Sequence, residues 1–385
     1  MKSLVINAGS SSVKFQLFED EKTILSGLCE EIGNVNSKIK LKEKGEKREI
    51  IIKFENHKQA FQEIIKILQE RNMVSGLSQI VHRVVHGGEK FKKPTIISKE
   101  TILELKKLIP LAPLHNPANI DGIELMEELL PKVQQVAIFD TSFHSTLPEE
   151  AYLYGVPYSW YKEHGVRRYG FHGSSHEYVS KEAAKLLENS NARIITCHLG
   201  NGASVCAIKN GRSIDTSMGM TPLEGNVMGT RSGSIDPAII FYIMNEKKLT
   251  HQEMDKILNK ESGLKGLSEL TSDMRILLSN LEKSDQAKRA LGVYLHTLLK
   301  IIGSYLAVMN GVDAIVFTGG VGENNALARD YIAEHLSFLG IKIDEKKNKN
   351  NEVEISDKES KVKVFVIPTN EELQMVRNAK QLLKK

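Results

Sequence analysis

The sequence predicts a two-domain α/β protein built by duplication. Three observations carry that expectation. Apolar, strand-like runs alternate with segments of helical periodicity along all 385 residues, a length that suits two or three domains. Residues 3–18, SLVINAGSSSVKFQLF, read as strand, glycine turn and strand. Residues 192–209, ARIITCHLGNGASVCAIK, repeat that plan roughly half a chain later, and Ser12-Val13 overlays Ser204-Val205 without gaps between the turns. Two such hairpins point to a duplicated domain facing a shared cleft.

In the first hairpin Leu4, Val5 and Ile6 form the apolar strand, and Asn7-Ala8-Gly9 breaks it. Ser10, Ser11 and Ser12 then supply hydroxyls, and Lys14 follows. Such a turn can aim backbone N–H groups, O–H groups and one cation at a phosphate. An ordinary hairpin with a Ser-rich turn has the same pattern. A third strand is expected at 23–29 and an exposed hairpin at 34–54, with 49–54 as its strand-like half. Phe61, Ile64, Ile65 and Leu68 recur at helical spacing over 57–71.

The strand at 79–85 ends in HRVVHGGE, where Arg83 and His86 lead into a glycine pair. Three prolines in PLAPLHNPANI (110–120) fix His115 on a rigid loop, and a helix starts near Pro117 with Asn116 as N-cap. The apolar strand at 135–139 ends at Asp140, at the strand end where functional carboxylates commonly lie. Residues 142–166 suit an interdomain crossover, and YGFHGSSH (169–176) opens a helix at Ser174 or Ser175. The Met, Leu and Val content of the long Gly-rich loop 215–237 argues against disorder, and Arg231 lies there among small residues. Helices are expected at 236–246, 250–259, 284–309 and 326–338, with Asp273 and Arg275 at a further helix start. A strand at 313–318 enters the glycine turn GGVGENN, 345–361 is a polar loop or hairpin, and PTNEE precedes a closing helix.

Composition narrows the function. The formal net charge is only +4, with acids and bases interspersed, so no nucleic-acid partner is expected. Cys29, Cys197 and Cys206 form no CxxC pair and fit a reducing cytosol. No apolar run approaches the roughly 20 residues that span a bilayer, so a soluble cytoplasmic protein without a membrane partner is expected. The His82/His86 and His172/His176 pairs lack the HExxH form, so no zinc site is expected. There is no Walker A loop, no complete Rossmann fingerprint and no GxSxG elbow.

Set in order, the segments resemble the acetate kinase family. The matching pieces are VINAGSSSVKF, HRVVHGGE, PLAPLHNPANI, FDTSFH, YGFHGSSHEYV, CHLGNGASV, DTSMGMTPLEG with MGTRSG, FTGGVGEN and PTNEE. The resemblance implies two duplicated actin-like ATPase (ribonuclease H-like) domains with mixed central sheets and an interdomain active-site cleft. It places them at 1–145 plus 372–385, and at 146–371. It implies reversible transfer of the ATP γ-phosphoryl group to acetate, with ATP and Mg²⁺ (Mn²⁺ as the alternative ion), in a homodimer.

Residue by residue, the resemblance assigns Asn7 and Glu371 to the metal, with Ser10, Ser12 and Lys14 at the phosphates. Arg83, Arg231, His115, His172 and Asp140 match its catalytic positions. Val85, Leu114, Phe171 and Pro222, together with Arg83, match its acetate site. His198, Asn201, Gly202, Asp273, Met274, Arg275, Gly320, Val321, Gly322 and Asn324 match its nucleotide side. The family usually has Asp where this chain has Ser234. The rivals are a propionate or butyrate kinase of the same family, or a non-enzymatic actin-like ATP-driven module.

Overall fold

The structure, a computed structural model, describes residues 1–383. Residues 384–385, which the expected first domain includes, lie outside the described residues. Internal contacts divide the chain into two compact units, Met1–Phe143 with the segment from Asn370 onward, and His144–Thr369.

The first unit holds an eight-stranded mixed sheet in the order β5-β4-β3-β2-β1-β6-β8-β7. Its strands are β1 (Lys2–Ala8), β2 (Val13–Glu19), β3 (Lys22–Glu30), β4 (Lys38–Glu43), β5 (Glu46–Ile51), β6 (Leu77–Val84), β7 (Thr95–Ile96) and β8 (Gln134–Phe139). β1, β2 and β3 form an antiparallel meander, whereas β1-β6-β8 is parallel. The central strand β1 is buried without a break from Ser3 to Ile6, as a strand covered on both faces must be. Leu4, Ile6, Phe15 and Leu17 pack with Phe61, Ile64 and Leu68 of the amphipathic helix His57–Glu70.

The second unit repeats this plan. Its sheet runs β11-β10-β9-β12-β13, built from β9 (Arg193–Leu199), β10 (Ala203–Lys209), β11 (Arg212–Thr216), β12 (Ala314–Thr318) and β13 (Lys363–Val366). Again an antiparallel meander of three strands continues into a parallel triplet through its first strand. The duplication expected from two hairpins therefore extends to whole-sheet topology.

Several local expectations are corrected. The first hairpin closes Ala8 on Val13 through a four-residue turn, the second closes Leu199 on Ala203 through three. The gap-free overlay of Ser12-Val13 on Ser204-Val205 therefore does not hold in register. The strand expected at 49–54 is shifted to Glu46–Ile51, because the hairpin turn falls between Glu43 and Glu46. The GGVGENN turn is the helix Gly319–Asn324, which starts directly at the end of β12. Asn116 lies inside the helix Asn116–Leu129, whose N-cap is His115. The helix Asp285–Val308 is long and apolar enough to cross a membrane by length and composition, contrary to expectation. Its apolar positions instead recur at helical period, burying Leu291, Tyr294, Leu295, Leu298 and Ile302.

The 215–237 loop is ordered by a half-buried polar anchor. The Tyr154 hydroxyl donates to Glu224 Oε2 at 2.5 Å and accepts from the Met220 N–H at 2.9 Å. Arg168 reaches Glu224 Oε1 at 2.8 Å and the carbonyls of Ser217 and Met218 at 3.1 Å each. Gly170 lies against this loop in the left-handed region, at φ +76°, and a Cβ there would meet Thr216 Cγ2 at 2.5 Å and the His144 ring at 2.7 Å. Gly170→Ala combines a left-handed penalty with a clash, so we expect a loss of about 2–4 kcal/mol. A urea-denaturation midpoint lowered at unchanged slope would register it.

Candidate active site

In each unit the parallel strands end side by side, the edge at which α/β sheets gather functional groups. In the first unit Asn7 closes on this edge from β1, Arg83 from β6 and Asp140 from the residue after β8. Arg83 grips Asp140 with a bidentate fork, Nε to Oδ1 at 2.9 Å and Nη2 to Oδ2 at 2.6 Å. Its remaining arm, Nη1, reaches Asn7 Oδ1 at 3.3 Å. Asp140 is 1% exposed. Burial alone would weaken the Arg83 charge, but Asp140 outweighs it and holds the guanidinium above its ordinary pKa.

Glu371 is the first residue of the helix Glu371–Leu383, which packs on β1, β6 and β8. Burial pushes its carboxyl up to about 7; Arg83 opposes that, and Asp140 and Glu372 reinforce it. Lys14, expected at a phosphate, forms an ion pair with Glu372, a residue the sequence reading passed over. Ser10 is exposed and Ser12 half-buried on the hairpin turn, which the Gly9 N–H to Ser12 carbonyl bond closes. His115 is half-buried at its helix N-cap, Val85 is buried and Leu114 is 56% exposed.

Two buried asparagines fix these strand ends. Asn119 accepts from the Val85 N–H at 3.0 Å and donates to the Ala8 carbonyl at 2.7 Å. Asn116 pairs with both backbone groups of His86 at 3.1 Å. The NPANI phrase held that signal, but only the fold shows that one helix turn spans β1 and β6.

In the second unit His172 occupies the N-cap of the helix Gly173–Leu186 in a left-handed conformation, φ 56° and ψ 26°. A non-glycine residue there is uncommon and carries strain of the kind found at functional sites. Its ring stacks on His198 with centroids 4.2 Å apart. Arg231 donates from Nη1 to the Pro222 carbonyl at 3.1 Å. Both Arg231 and His172 face Gly202, whose added Cβ would lie 3.4 Å from Arg231 Nη1 and 3.6 Å from His172 Nε2. Burial lowers the Arg231 pKa, and no carboxylate pairs with it among the described residues. Phe171 is 2% exposed, and its carbonyl accepts from His144 Nε2 at 2.9 Å. Asn201 holds the Arg231 loop through its carbonyl, which accepts from the Gly229 N–H at 3.0 Å.

The nucleotide-side residues fall in two places. Gly320, Val321, Gly322 and Asn324 lie on the short helix after β12, beside His198, which pairs with Thr318 in the strand register. Asp273 caps the helix Met274–Ser279 and forks onto Arg275 at 3.0 and 2.6 Å. Hydrogen bonds from Arg275 lower its pKa to about 2. Met274 is buried. Sequence reasoning missed Ser175, Ser204, His176 and Glu323 as site neighbours. Ser175 bonds His198 Nδ1 and Thr369 Oγ1 at 2.8 Å each, while Glu323 accepts from the Gly319 and Thr369 N–H groups.

Among the described residues no group of three or more His, Cys, Asp or Glu side chains forms a metal cage. A Mg²⁺ ion carried on nucleotide phosphates needs only one or two protein carboxylates. The first-unit group fits such an ion in its donor chemistry: Asn7 brings an amide oxygen to Arg83, and Asp140 and Glu372 crowd the Glu371 carboxyl with like charge that a cation would relieve.

Residues 2–377 match the model of the Acetokinase family. It is 49% identical over 394 residues to the acetate kinase of Clostridium botulinum strain Okra, covering 99% of each chain. The crystal structure of Porphyromonas gingivalis acetate kinase matches at 42% identity with a TM-score of 0.94, covering 99% of each chain. That of a propionate kinase from Francisella tularensis matches at the same 42% identity and TM-score of 0.94, covering 98% of each. The fold and these matches define a kinase with a carboxylate acceptor. The chain belongs to the acetokinase family.

The Glu371 environment has a pH signature. Its folded pKa, about 7, stands above the ordinary 4.5, so the folded state holds this proton more tightly. Its stability contribution is full below pH 4.5 and is lost as pH rises through 7. Glu371→Gln keeps the neutral form at every pH. It should be more stable than wild type by roughly 1–3 kcal/mol at pH 8, with the gap closing towards pH 4, measured by urea denaturation across pH.

Proposed function

We propose that this chain transfers the γ-phosphoryl group of ATP reversibly to acetate, giving acetyl phosphate and ADP. Membership of the acetokinase family along the full chain carries this reading. The geometry supports it through two cationic centres of different character, the clamped Arg83 and the uncompensated Arg231. Acetate is already an anion and needs no strong base. It needs cations that offset its repulsion from the transferring group. Arg83, oriented by Asp140 and Asn7, draws the carboxylate in. Arg231 and His172 stabilise charge on the equatorial oxygens, and His115 and His198 serve as further donors.

Asn7 and Glu371 would hold Mg²⁺, which when bound screens the nucleotide phosphates. Ser10, Ser12 and Lys14 serve the phosphates, with Lys14 tethered by Glu372. Asn201, Gly202, Asp273, Met274, Arg275, Gly320, Val321, Gly322 and Asn324 serve the nucleotide. Val85, Leu114, Phe171 and Pro222 serve the acyl group. The two compact units are the two domains of the kinase. The free, buried Cys29, Cys197 and Cys206 suit a cytoplasmic enzyme.

A homodimer accounts for the helix Ala238–Lys247. Its sequence AIIFYIM is apolar on every side, yet no residue in it is buried, and Phe241 and Tyr242 are 67% and 65% exposed. A surface of this kind marks an interface. Phe241→Glu with Tyr242→Glu should yield a monomer in analytical ultracentrifugation, where wild type sediments as a dimer.

Propionate is the second reading, since the F. tularensis propionate kinase matches as well as the P. gingivalis acetate kinase. One methylene shifts discrimination by only about 1–3 kcal/mol. The β-branched Val85 favours the smaller acid. Mg²⁺-ATP turnover with acetate, propionate and butyrate, trapped as acyl hydroxamates, tests the proposal. Acetate should give the highest kcat/KM, and no hydroxamate from any acid would overturn the kinase reading. In the same assay Arg231→Lys keeps the charge but loses the planar fork, so kcat should fall at least about 100-fold.

A further inference from the structure

We propose that Thr196, His176 and Ser204 are positioning residues that hold His172 in the tautomer carrying its proton on Nε2. The inference deepens the reading above, since it rests on His172 acting at the transferring phosphoryl group.

The three side chains form one hydrogen-bonded row that ends on His172. Thr196 Oγ1 lies 2.7 Å from His176 Nδ1. His176 Nε2 lies 2.7 Å from Ser204 Oγ, and the same hydroxyl lies 2.8 Å from His172 Nδ1. Thr196, His176 and Ser204 are all 0% exposed, so bulk water does not reach them. Burial foremost, helped by His144 and His198, keeps His176 neutral, and it therefore carries one ring proton.

Proton counting then leaves two arrangements. A serine hydroxyl has one proton, and these two imidazoles are the hydrogen-bond partners of Ser204 Oγ, so bonding that proton makes Ser204 donate to one imidazole and accept from the other. In the first arrangement Thr196 donates to His176 Nδ1, His176 Nε2–H donates to Ser204, and Ser204 donates to His172 Nδ1. The His172 proton is then on Nε2. In the second every bond reverses, and His176 Nδ1–H donates to Thr196. Thr196 Oγ1 has no other hydrogen-bond partner among the described residues, so the second arrangement strands its buried O–H. A buried donor without an acceptor costs the full desolvation penalty of that group. The first arrangement leaves none of these groups unsatisfied.

The same logic bears on charge. A doubly protonated His172 donates from Nδ1 to Ser204, and then either the row reverses and strands the Thr196 proton or Ser204 accepts twice and strands its own. The row therefore favours a neutral His172 with a donor at Nε2, on the ring edge that faces Gly202 and the Arg231 guanidinium. A neutral donor and a fixed cation can then address one anion without competing for a counter-charge. A random tautomer would present a lone pair to that anion in part of the population.

The test uses the full chain with ¹⁵N-labelled histidine, and the His172 signals are assigned by their loss in His172→Gln. The wild-type spectrum at neutral pH should show His172 neutral and protonated on Nε2; protonation on Nδ1 would overturn the proposal without any variant. Thr196→Val, nearly isosteric, should spread the proton over both nitrogens and lower kcat about 3- to 30-fold, with KM for ATP and acetate within about twofold. Thr196→Ser, which restores the hydroxyl, should recover both readouts. Ser204→Ala should act like Thr196→Val. If His172→Gln is inactive while Thr196→Val and Ser204→Ala turn over normally, the row is refuted and the role of His172 stands. If His172→Gln itself turns over normally, the role of His172 falls, and the proposal with it.

Discussion

The parallel triplet at the centre of each sheet is the constraint from which the site follows. Parallel strands run in one direction, so β1, β6 and β8 deliver Asn7, Arg83 and Asp140 to one edge. β9 and β12 do the same for His198 and the Gly319–Asn324 helix. The antiparallel meander beside each triplet adds a tight turn at that same edge. In one unit the turn presents Ser10 and Ser12, in the other Asn201 and Gly202. Duplication of a single topology has thus produced two edges with different chemistry.

Both edges are stiffened by buried polar groups with nearly complete bonding. Asn116 and Asn119 lock strand ends that carry Arg83 and Val85. Ser175, Ser204 and Thr196 do so for the histidines. Such networks cost much when broken and specify one arrangement when whole. The left-handed His172 belongs to the same economy, because its strain persists only where its surroundings over-determine it.

Much of this was legible in the sequence. The hairpins at 3–18 and 192–209, the strand ends at Arg83 and Asp140, and the long helix 284–309 all follow from periodicity and turn chemistry. The motif order named the family. What periodicity could not supply was register: the two turns differ by one residue, and β5 is shifted towards its hairpin turn. Nor could it supply partners made by folding. Glu372 binds Lys14, and Ser204 joins two histidines at positions 172 and 176. Serine and threonine on apolar strands look like fillers in sequence, and only burial turns their single protons into constraints. The apolar helix Ala238–Lys247 was legible as a helix, but that none of its residues is buried was not.

The two arginines show why charge alone would have been a poor guide. Arg83 is neutralised by a bidentate carboxylate, so an arriving anion gains only its residual field and the 3.3 Å arm near Asn7. Its stronger contribution is orientation, since a fork held at both ends cannot swing. Arg231 is partly buried with a carbonyl and a thioether as its hydrogen-bond partners, and burial lowers its pKa. A desolvated cation without a counter-ion is a destabilised group that an anion relieves. That relief grows as charge accumulates on the anion, which is the condition for stabilising a transition state more than a ground state. In the proposed reaction Arg83 therefore suits binding and alignment, while Arg231 suits the chemical step, although both are arginines on small-residue loops or strand ends.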